Sequence, residues 1–214
     1  MYQSEMIVVN KVLDCEQYLD DVDGVVFDLD DTLYSEKEYV RSGYAAVARS
    51  FSQISNMEAR LWSAFELGLP AIDVVLEEEC LLDRKAEALA IYRDHIPEIH
   101  LYPGVEALLQ RLKATKKMGL ITDGRPRGQR AKIAALHIER YFDCILVTDE
   151  LGGVDFRKPN PRAFCMMKDA LELPFEKMIY IGDNLKKDFI APEQLGMKCC
   201  LFENTEGLYF GKRV

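Results

Sequence analysis

The sequence predicts an α/β protein, a doubly wound parallel sheet interrupted by an inserted α-helical domain. Three observations predict it. Short, almost wholly apolar runs recur along the chain, as strands buried on both faces require. Segments of helical period separate the later runs. One stretch, residues 34–100, holds helical segments and no convincing strand, and about 65 residues is too long for a crossover or a structureless loop.

In chain order, residues 1–23 form an extension that the pattern does not place, and "GVVFDL" (24–29) is the first strand. The insert follows over 34–100, with "EYVRSGYAAVARSF" and "DVVLEEECLLDRKAEALAIYRD" as helical stretches and Pro70 and Pro97 as breaks. From residue 101 onward strand and helix alternate. Val105, Leu108, Leu109 and Leu112 form one apolar stripe of a helix. The strand "MGLIT" (118–122) comes next, then the helical "RGQRAKIAALHI" and the strand "CILVT" (144–148). Asn160 and Pro161 suit the start of the helix "PRAFCMMKDALEL". "MIYIG" (178–182) and "CCLF" (199–202) complete the set. Residues 1–33 and 101–214 are therefore expected to form the sheet domain, with 34–100 inserted into it.

Composition narrows the class. The 214 residues are 49% hydrophobic and 29% charged, as in an ordinary globular protein. A formal charge of −9 speaks against a nucleic-acid backbone or an anionic membrane as partner. No apolar run approaches the roughly eighteen residues of a membrane span, and the N-terminus is acidic where a signal peptide would be basic. A cytoplasmic protein is expected. Cys15, Cys80, Cys144, Cys165, Cys199 and Cys200 form no CxxC pair and no metal-type spacing with histidine; those in apolar runs read as small hydrophobes.

In an open α/β sheet, ligands bind beyond the carboxyl ends of the strands. Those ends carry Asp28, Asp30, Asp31 and Thr32, then Thr122-Asp123-Gly124, Thr148-Asp149, and Asp183-Asn184 with Asp188 beyond. Lys158 lies in "FRKPNP" between the last two. An aspartate at one strand end is usually a cap or turn residue. Four such ends in strand order point elsewhere. Crowded carboxylates call for a cation, hard oxygen ligands favour Mg²⁺, and Mg²⁺ held by few carboxylates commonly works on phosphate. The "TDG" turn offers a hydroxyl and N–H groups to a phosphate oxygen. Alternation along the strand puts Asp30 on the side of Asp28 and turns Asp31 away.

"DLDDT", "ITDG", Lys158 in "RKPNP" and "GDNLKKD" resemble the four motifs of the haloacid dehalogenase-like hydrolase superfamily, in the same order. The resemblance covers 24–33 and 101–203 and implies a Rossmann-like core with a helical cap. It implies Asp28 as nucleophile and Asp30 as general acid/base. Thr122, with Asp123 and Gly124, and Lys158 would hold the phosphoryl group. Mg²⁺ would fall to Asp28, Asp30 and Asp183, with Asn184 and Asp188 in support. The expected activity is that of a Mg²⁺-dependent phosphatase of a small phosphorylated metabolite, such as a sugar phosphate or nucleoside monophosphate.

Other members fit less well. Dehalogenases of the family lack the second aspartate and need no Mg²⁺, and the transport ATPases carry Thr in place of Asp30 and require membrane spans. Phosphosugar mutases keep the aspartate pair, as do phosphonate hydrolases, which use a cap lysine for which Lys37 or Lys85 could stand. A non-catalytic binding protein would have no need of the complete set of chemical residues. For substrate selection the candidates are Arg41 and Tyr44, at i and i+3 on one helical face, and Arg125 after the phosphate turn. Tyr39, Arg49 and Arg127 are weaker ones.

Overall fold

The computed structural model describes residues 6–208 and 210. Its contacts divide the chain into two compact units, one comprising residues up to Glu36 and from His100 onward, the other Lys37–Ile99. The first holds a six-stranded, wholly parallel sheet built from β1 (Ile7–Val9), β2 (Gly24–Phe27), β3 (Lys117–Thr122), β4 (Cys144–Val147), β5 (Met178–Gly182) and β6 (Lys198–Phe202). The spatial order is β1-β6-β5-β2-β3-β4. Five strands fall where the apolar runs put them. The sixth is β1, inside the extension that the pattern does not place. The apolar run Met6-Ile7-Val8-Val9 is as short as that of β6, and it becomes a strand by pairing in parallel with β6.

The chain winds from β2 to β3 and β4 on one side, then crosses back to β5 and β6 on the other. The order therefore reverses at β2, which is buried along its whole length. Phe27 is level with Leu120 of β3 and Ile181 of β5, so the carboxyl ends of the three central strands emerge together. A reversal of this kind opens a crevice for a ligand.

Eight α-helices complete the described residues. Four belong with the insert: α1 (Glu36–Ser50), α2 (Met57–Glu66), α3 (Ala71–Glu78) and α4 (Lys85–Asp94). Four belong with the sheet: α5 (Val105–Lys113), α6 (Pro126–Ala135), α7 (Arg162–Leu171) and α8 (Ile190–Leu195). The stripe foreseen on α5 is buried entire: Val105, Leu108, Leu109 and Leu112. At α7 the Asn160 side-chain oxygen accepts the Arg162 N–H at 2.9 Å, as a cap does. One expected stretch does not run unbroken. Cys80 takes φ +57 and a 3-10 turn follows at Leu82–Arg84, which separates α3 from α4.

The insert buries Val47, Leu61, Val75, Leu76 and Ala88 in a core of its own. Ser42 and His95 join at 2.6 Å, and the Ser42 hydroxyl oxygen also accepts the Glu98 N–H. Against the sheet, Val26, Ile121, Phe164, Met167 and Tyr180 form the main apolar cluster. All six cysteines are free; Cys15, Cys199 and Cys200 are buried, while Cys144 on the edge strand β4 is half-buried. Among the described residues no helix is long and apolar enough to cross a membrane.

Phe164 is fully buried and meets the Tyr180 ring edge-on at 5.1 Å. Phe164→Ala should lower stability by about 3–5 kcal/mol, the usual cost of an aromatic cavity. Urea denaturation of wild type and variant checks this.

Candidate active site

Asp28 follows β2 immediately and is 2% exposed. Its N–H donates to the Ile181 carbonyl at 2.8 Å, carrying the β2–β5 pairing one residue beyond the strand. Asp28 Oδ1 accepts from Lys158 Nζ at 2.6 Å; Oδ2 is buried without a hydrogen-bond partner among the described residues. Lys158 Nζ also lies 2.8 Å from Asp188 Oδ1 and donates to the Tyr180 hydroxyl at 2.9 Å. Asp188 Oδ2 accepts the Asn184 N–H. A Cβ on Gly182 would come within 2.6 Å of that same oxygen, so the strand end must be glycine for Asp188 to reach Lys158.

Asp28, Asp183 and Asp188 each offer a carboxylate oxygen, and these lie within 4.8 Å of one another. Thr32 donates to Asp183 Oδ1 at 3.5 Å. Such crowding has an electrostatic signature. Burial, then the charges of Asp28 and Asp188, pushes the Asp183 carboxyl up to about 9. Burial also raises Asp28, to about 6, with Lys158 opposing and Asp188 adding. Burial alone would lower Lys158, but the carboxylates of Asp188 and Asp28 hold it well above its ordinary value. A cluster that retains protons near neutrality, with one bare carboxylate oxygen, suits a divalent cation with a preference for oxygen.

Asp30 takes a different place. Its Oδ1 accepts from Lys132 Nζ at 2.7 Å and from the Tyr34 hydroxyl, and its Oδ2 from Gln129 Nε2 at 2.8 Å. Burial would raise Asp30, yet Lys132 and the donors around it hold the carboxyl below its usual value. The sequence reading grouped Asp28, Asp30 and Asp183 on the metal; the structure brings the carboxylate of Asp188, not of Asp30, to the other two. The reason is local: β2 ends at Phe27, and the ammonium of Lys132 draws Asp30 toward α6. Asp31 turns away in the left-handed region, φ +54, as a turn residue. Its carboxylate accepts the N–H groups of Glu36 (2.9 Å) and Leu208 (2.7 Å).

In the turn after β3, Thr122 is fully buried and Gly124 takes φ +140. The Asp123 side chain is occupied. Its Oδ1 accepts from the Thr148 hydroxyl at 2.9 Å and the Lys158 N–H at 3.1 Å, which ties the turn to the lysine loop; an anionic side chain so occupied orients its neighbours. Asn184 shapes its own turn by accepting the Lys186 N–H. Arg125 is exposed at the start of α6. Arg41 stacks on Trp62 at 4.0 Å, and Tyr44 is buried against Phe65 and Tyr92. Arg41, Tyr44, Met57, Glu58 and Trp62 line a groove of about 510 Å³ within the insert. Lys85 is paired with Asp73 at 2.6 Å.

Sequence reasoning missed Gln129, Lys132, Tyr34, Tyr180 and Lys187, whose ammonium lies 3.7 Å from Asp123 Oδ2. Gln129 and Lys132 stand at i and i+3 on α6, among the positions that helix buries, and no pattern in the sequence marks them.

The fold is a doubly wound α/β sheet whose carboxylates gather at the strand ends. A sequence profile described as haloacid dehalogenase-like hydrolase matches residues 22–196. The glyceraldehyde 3-phosphate phosphatase of Methanocaldococcus jannaschii is 29% identical over 196 residues, 82% of each chain. The pyrimidine 5′-nucleotidase YjjG of Escherichia coli is 22% identical over 83% of this chain and 84% of its own. A subfamily IA hydrolase structure from Geobacter sulfurreducens superposes with a TM-score of 0.67 at 13% identity, over 85% of this chain and 87% of that one, and so shares the fold. The chain belongs to the haloacid dehalogenase-like hydrolases. Within that family it stands with the phosphoric monoester hydrolases.

The raised carboxyls fix a pH dependence. Without cation, folded Asp28 and Asp183 keep protons that the unfolded chain releases near pH 4, so the folded state binds more protons from there up to about 9. The stability this contributes is lost as pH rises through the window. Melting temperature in chelator should therefore fall between pH 5 and 9, and the rise on adding Mg²⁺ should grow with pH. Scanning calorimetry with and without Mg²⁺ checks both slopes.

Proposed function

We propose that the protein is a Mg²⁺-dependent phosphatase that hydrolyses a small phosphorylated metabolite through an aspartyl-phosphate. The observation that carries this reading is the buried Asp28, with one carboxylate oxygen on Lys158 and the other bare beside Asp183 and Asp188. Those three aspartates are the residues to hold Mg²⁺; when bound, the ion would neutralise charge on the phosphoryl oxygens.

The chain's own groups supply the rest. Asp28 attacks phosphorus, the bond to the ester oxygen breaks, and that oxygen takes a proton from Asp30. Water then attacks the aspartyl-phosphate, Asp30 takes the water's proton, and inorganic phosphate leaves with Asp28 again a carboxylate and Asp30 again the protonated acid. The ion pair with Lys132 favours the ionised form of Asp30, the form the second step uses. Lys158 and the Thr122 hydroxyl hold phosphoryl oxygens, and the N–H groups of the Asp123-Gly124 turn add donors for them. Two relatives that match more than four-fifths of this chain act on glyceraldehyde 3-phosphate and on pyrimidine 5′-nucleotides, which supports a small organic leaving group. Arg41 and Tyr44 in the insert's groove, and Arg125 beside the phosphate turn, are the residues we assign to leaving-group selection. Residues 34–100 are assigned the part of a cap.

Asp28→Asn should abolish Mg²⁺-dependent phosphate release from p-nitrophenyl phosphate while the circular dichroism spectrum stays unchanged. A phosphoryl group trapped on any other residue, detected by mass spectrometry, would sink the mechanism. A panel of sugar phosphates, nucleoside monophosphates and phosphorylated acids identifies the leaving group.

The adjacent aspartates separate by role. Asp30→Asn should lose roughly 10² to 10⁴-fold in turnover on esters with poor leaving groups, the usual worth of a general acid/base. Asp31→Asn loses a turn acceptor and should cost far less. Steady-state rates of the two variants decide, and a larger defect at Asp31 would reverse the assignment.

A further inference from the structure

On the phosphatase reading, α6 carries more than a helix. Lys132 and Gln129 are both 4% exposed. Lysine is rarely buried without a partner, and a helix packed in an α/β unit ordinarily fills such positions with apolar side chains. Here both polar side chains reach one carboxylate. Lys132 holds Asp30 Oδ1 and Gln129 holds Asp30 Oδ2, so the two oxygens are fixed from adjacent positions on one helical face.

Gln129 makes a second contact from the same nitrogen, to Thr122 Oγ1. An ionised carboxylate only accepts hydrogen bonds, so the side of the amide facing Asp30 must be its NH₂ group. One N–H then goes to Asp30 and the other to the Thr122 oxygen. With that lone pair filled by Gln129, the Thr122 hydroxyl hydrogen is left to donate elsewhere. The turn is shaped for this approach: a Cβ on Gly124 would stand 3.1 Å from Gln129 Cδ, and φ +140 already favours glycine there.

We propose that Lys132 and Gln129 are positioning residues for phosphate-ester cleavage. Lys132 sets the direction of the Asp30 carboxylate, and Gln129 couples that carboxylate to the Thr122 hydroxyl and aims the hydroxyl at a phosphoryl oxygen. The proposal rests on the reading of Asp30 as acid/base and Thr122 as phosphate ligand. Neither residue touches substrate; each acts through the group it holds.

The test compares wild type with Lys132→Met, Lys132→Arg and Gln129→Met, all with Mg²⁺. Rates are measured on phenyl phosphate, a poor leaving group, and on p-nitrophenyl phosphate, a good one. Affinity for inorganic phosphate is measured by titration calorimetry. Lys132→Met should lower kcat on phenyl phosphate by about 10 to 10²-fold, part of the general acid/base effect, and on p-nitrophenyl phosphate by much less. Lys132→Arg should recover most of that loss. Gln129→Met should weaken phosphate binding about three- to tenfold, the worth of one hydrogen bond, while Lys132→Met leaves it nearly unchanged. Equal loss on both esters in Lys132→Met, or no recovery in Lys132→Arg, would overturn the part given to Lys132. Unaltered phosphate affinity in Gln129→Met would overturn that given to Gln129. Should Lys132→Met not fold, Lys132→Gln against Lys132→Arg gives the same comparison. If the wild type releases phosphate from neither ester, the phosphatase reading fails and this proposal with it. If the wild type turns over and the variants keep its ratio of rates, the positioning proposal alone falls.

Discussion

The ammonium of Lys158 is the constraint on which the site depends. It is fully buried, within 2.6 Å of Asp28 and 2.8 Å of Asp188, and it fixes two strand ends and the loop that carries it. Taken alone, the carboxylates of Asp28, Asp183 and Asp188 outnumber the ammonium groups of Lys158 and Lys187 beside them and leave negative charge in excess. A buried cluster of that kind either binds protons or binds a divalent cation. Removing one partner of such an arrangement strands a charge, at about 3–5 kcal/mol. The sheet meets this cost with its own core, since Tyr180 both donates bulk to the apolar cluster and accepts a hydrogen bond from Lys158. Stability and chemistry therefore share residues here, and substitutions at this edge act on both.

Much of this was legible in the chain. Runs such as "GVVFDL" and "MIYIG" are apolar because both sheet faces are covered, and a parallel sheet then fixes where their polar ends must emerge. The motifs at those ends gave Asp28, Thr122, Lys158 and Asp183. What stayed hidden lies in side chains whose sequence context is ordinary. Lys132 and Gln129 sit in a helix rich in Arg, Lys and Ala, where a charged residue normally marks the solvent face; only the fold shows that they point inward. The short strand β1 was missed for a different reason: its apolar run is only four residues long, stands apart from the alternating part of the chain, and finds its partner β6 almost two hundred residues later. Asp188 was read as a support, and its distance from Asp183 in sequence concealed how Gly182 lets its carboxylate return to the cluster.

The insert has a different internal logic. Its core is built from short helices joined by tight turns, with positive φ at Asn56 and Cys80. Aromatic packing joins its aliphatic core: Tyr39, Tyr44, Tyr92 and His95 stack in one group, and Trp62 carries Arg41 on its face. The exposed pairs of Arg60 with Glu78 and Glu79 add little to stability. A groove lined by an arginine and aromatic rings can change its chemistry by few substitutions without disturbing the sheet, whose packing lies in other residues.

The turn after Asp28 also has a bearing on when the protein becomes competent. Asp31 takes one of its donors from Leu208, 177 positions later, and its carbonyl accepts from the Asn204 side chain. The strand β1 near the start of the chain likewise waits for β6. During synthesis Asp28 emerges before residues 204–208, and the turn that presents it lacks these donors until they have left the ribosome. Assembly is thus ordered in time by contacts between distant segments, and the turn after Asp28 stays unfinished until those later residues are made.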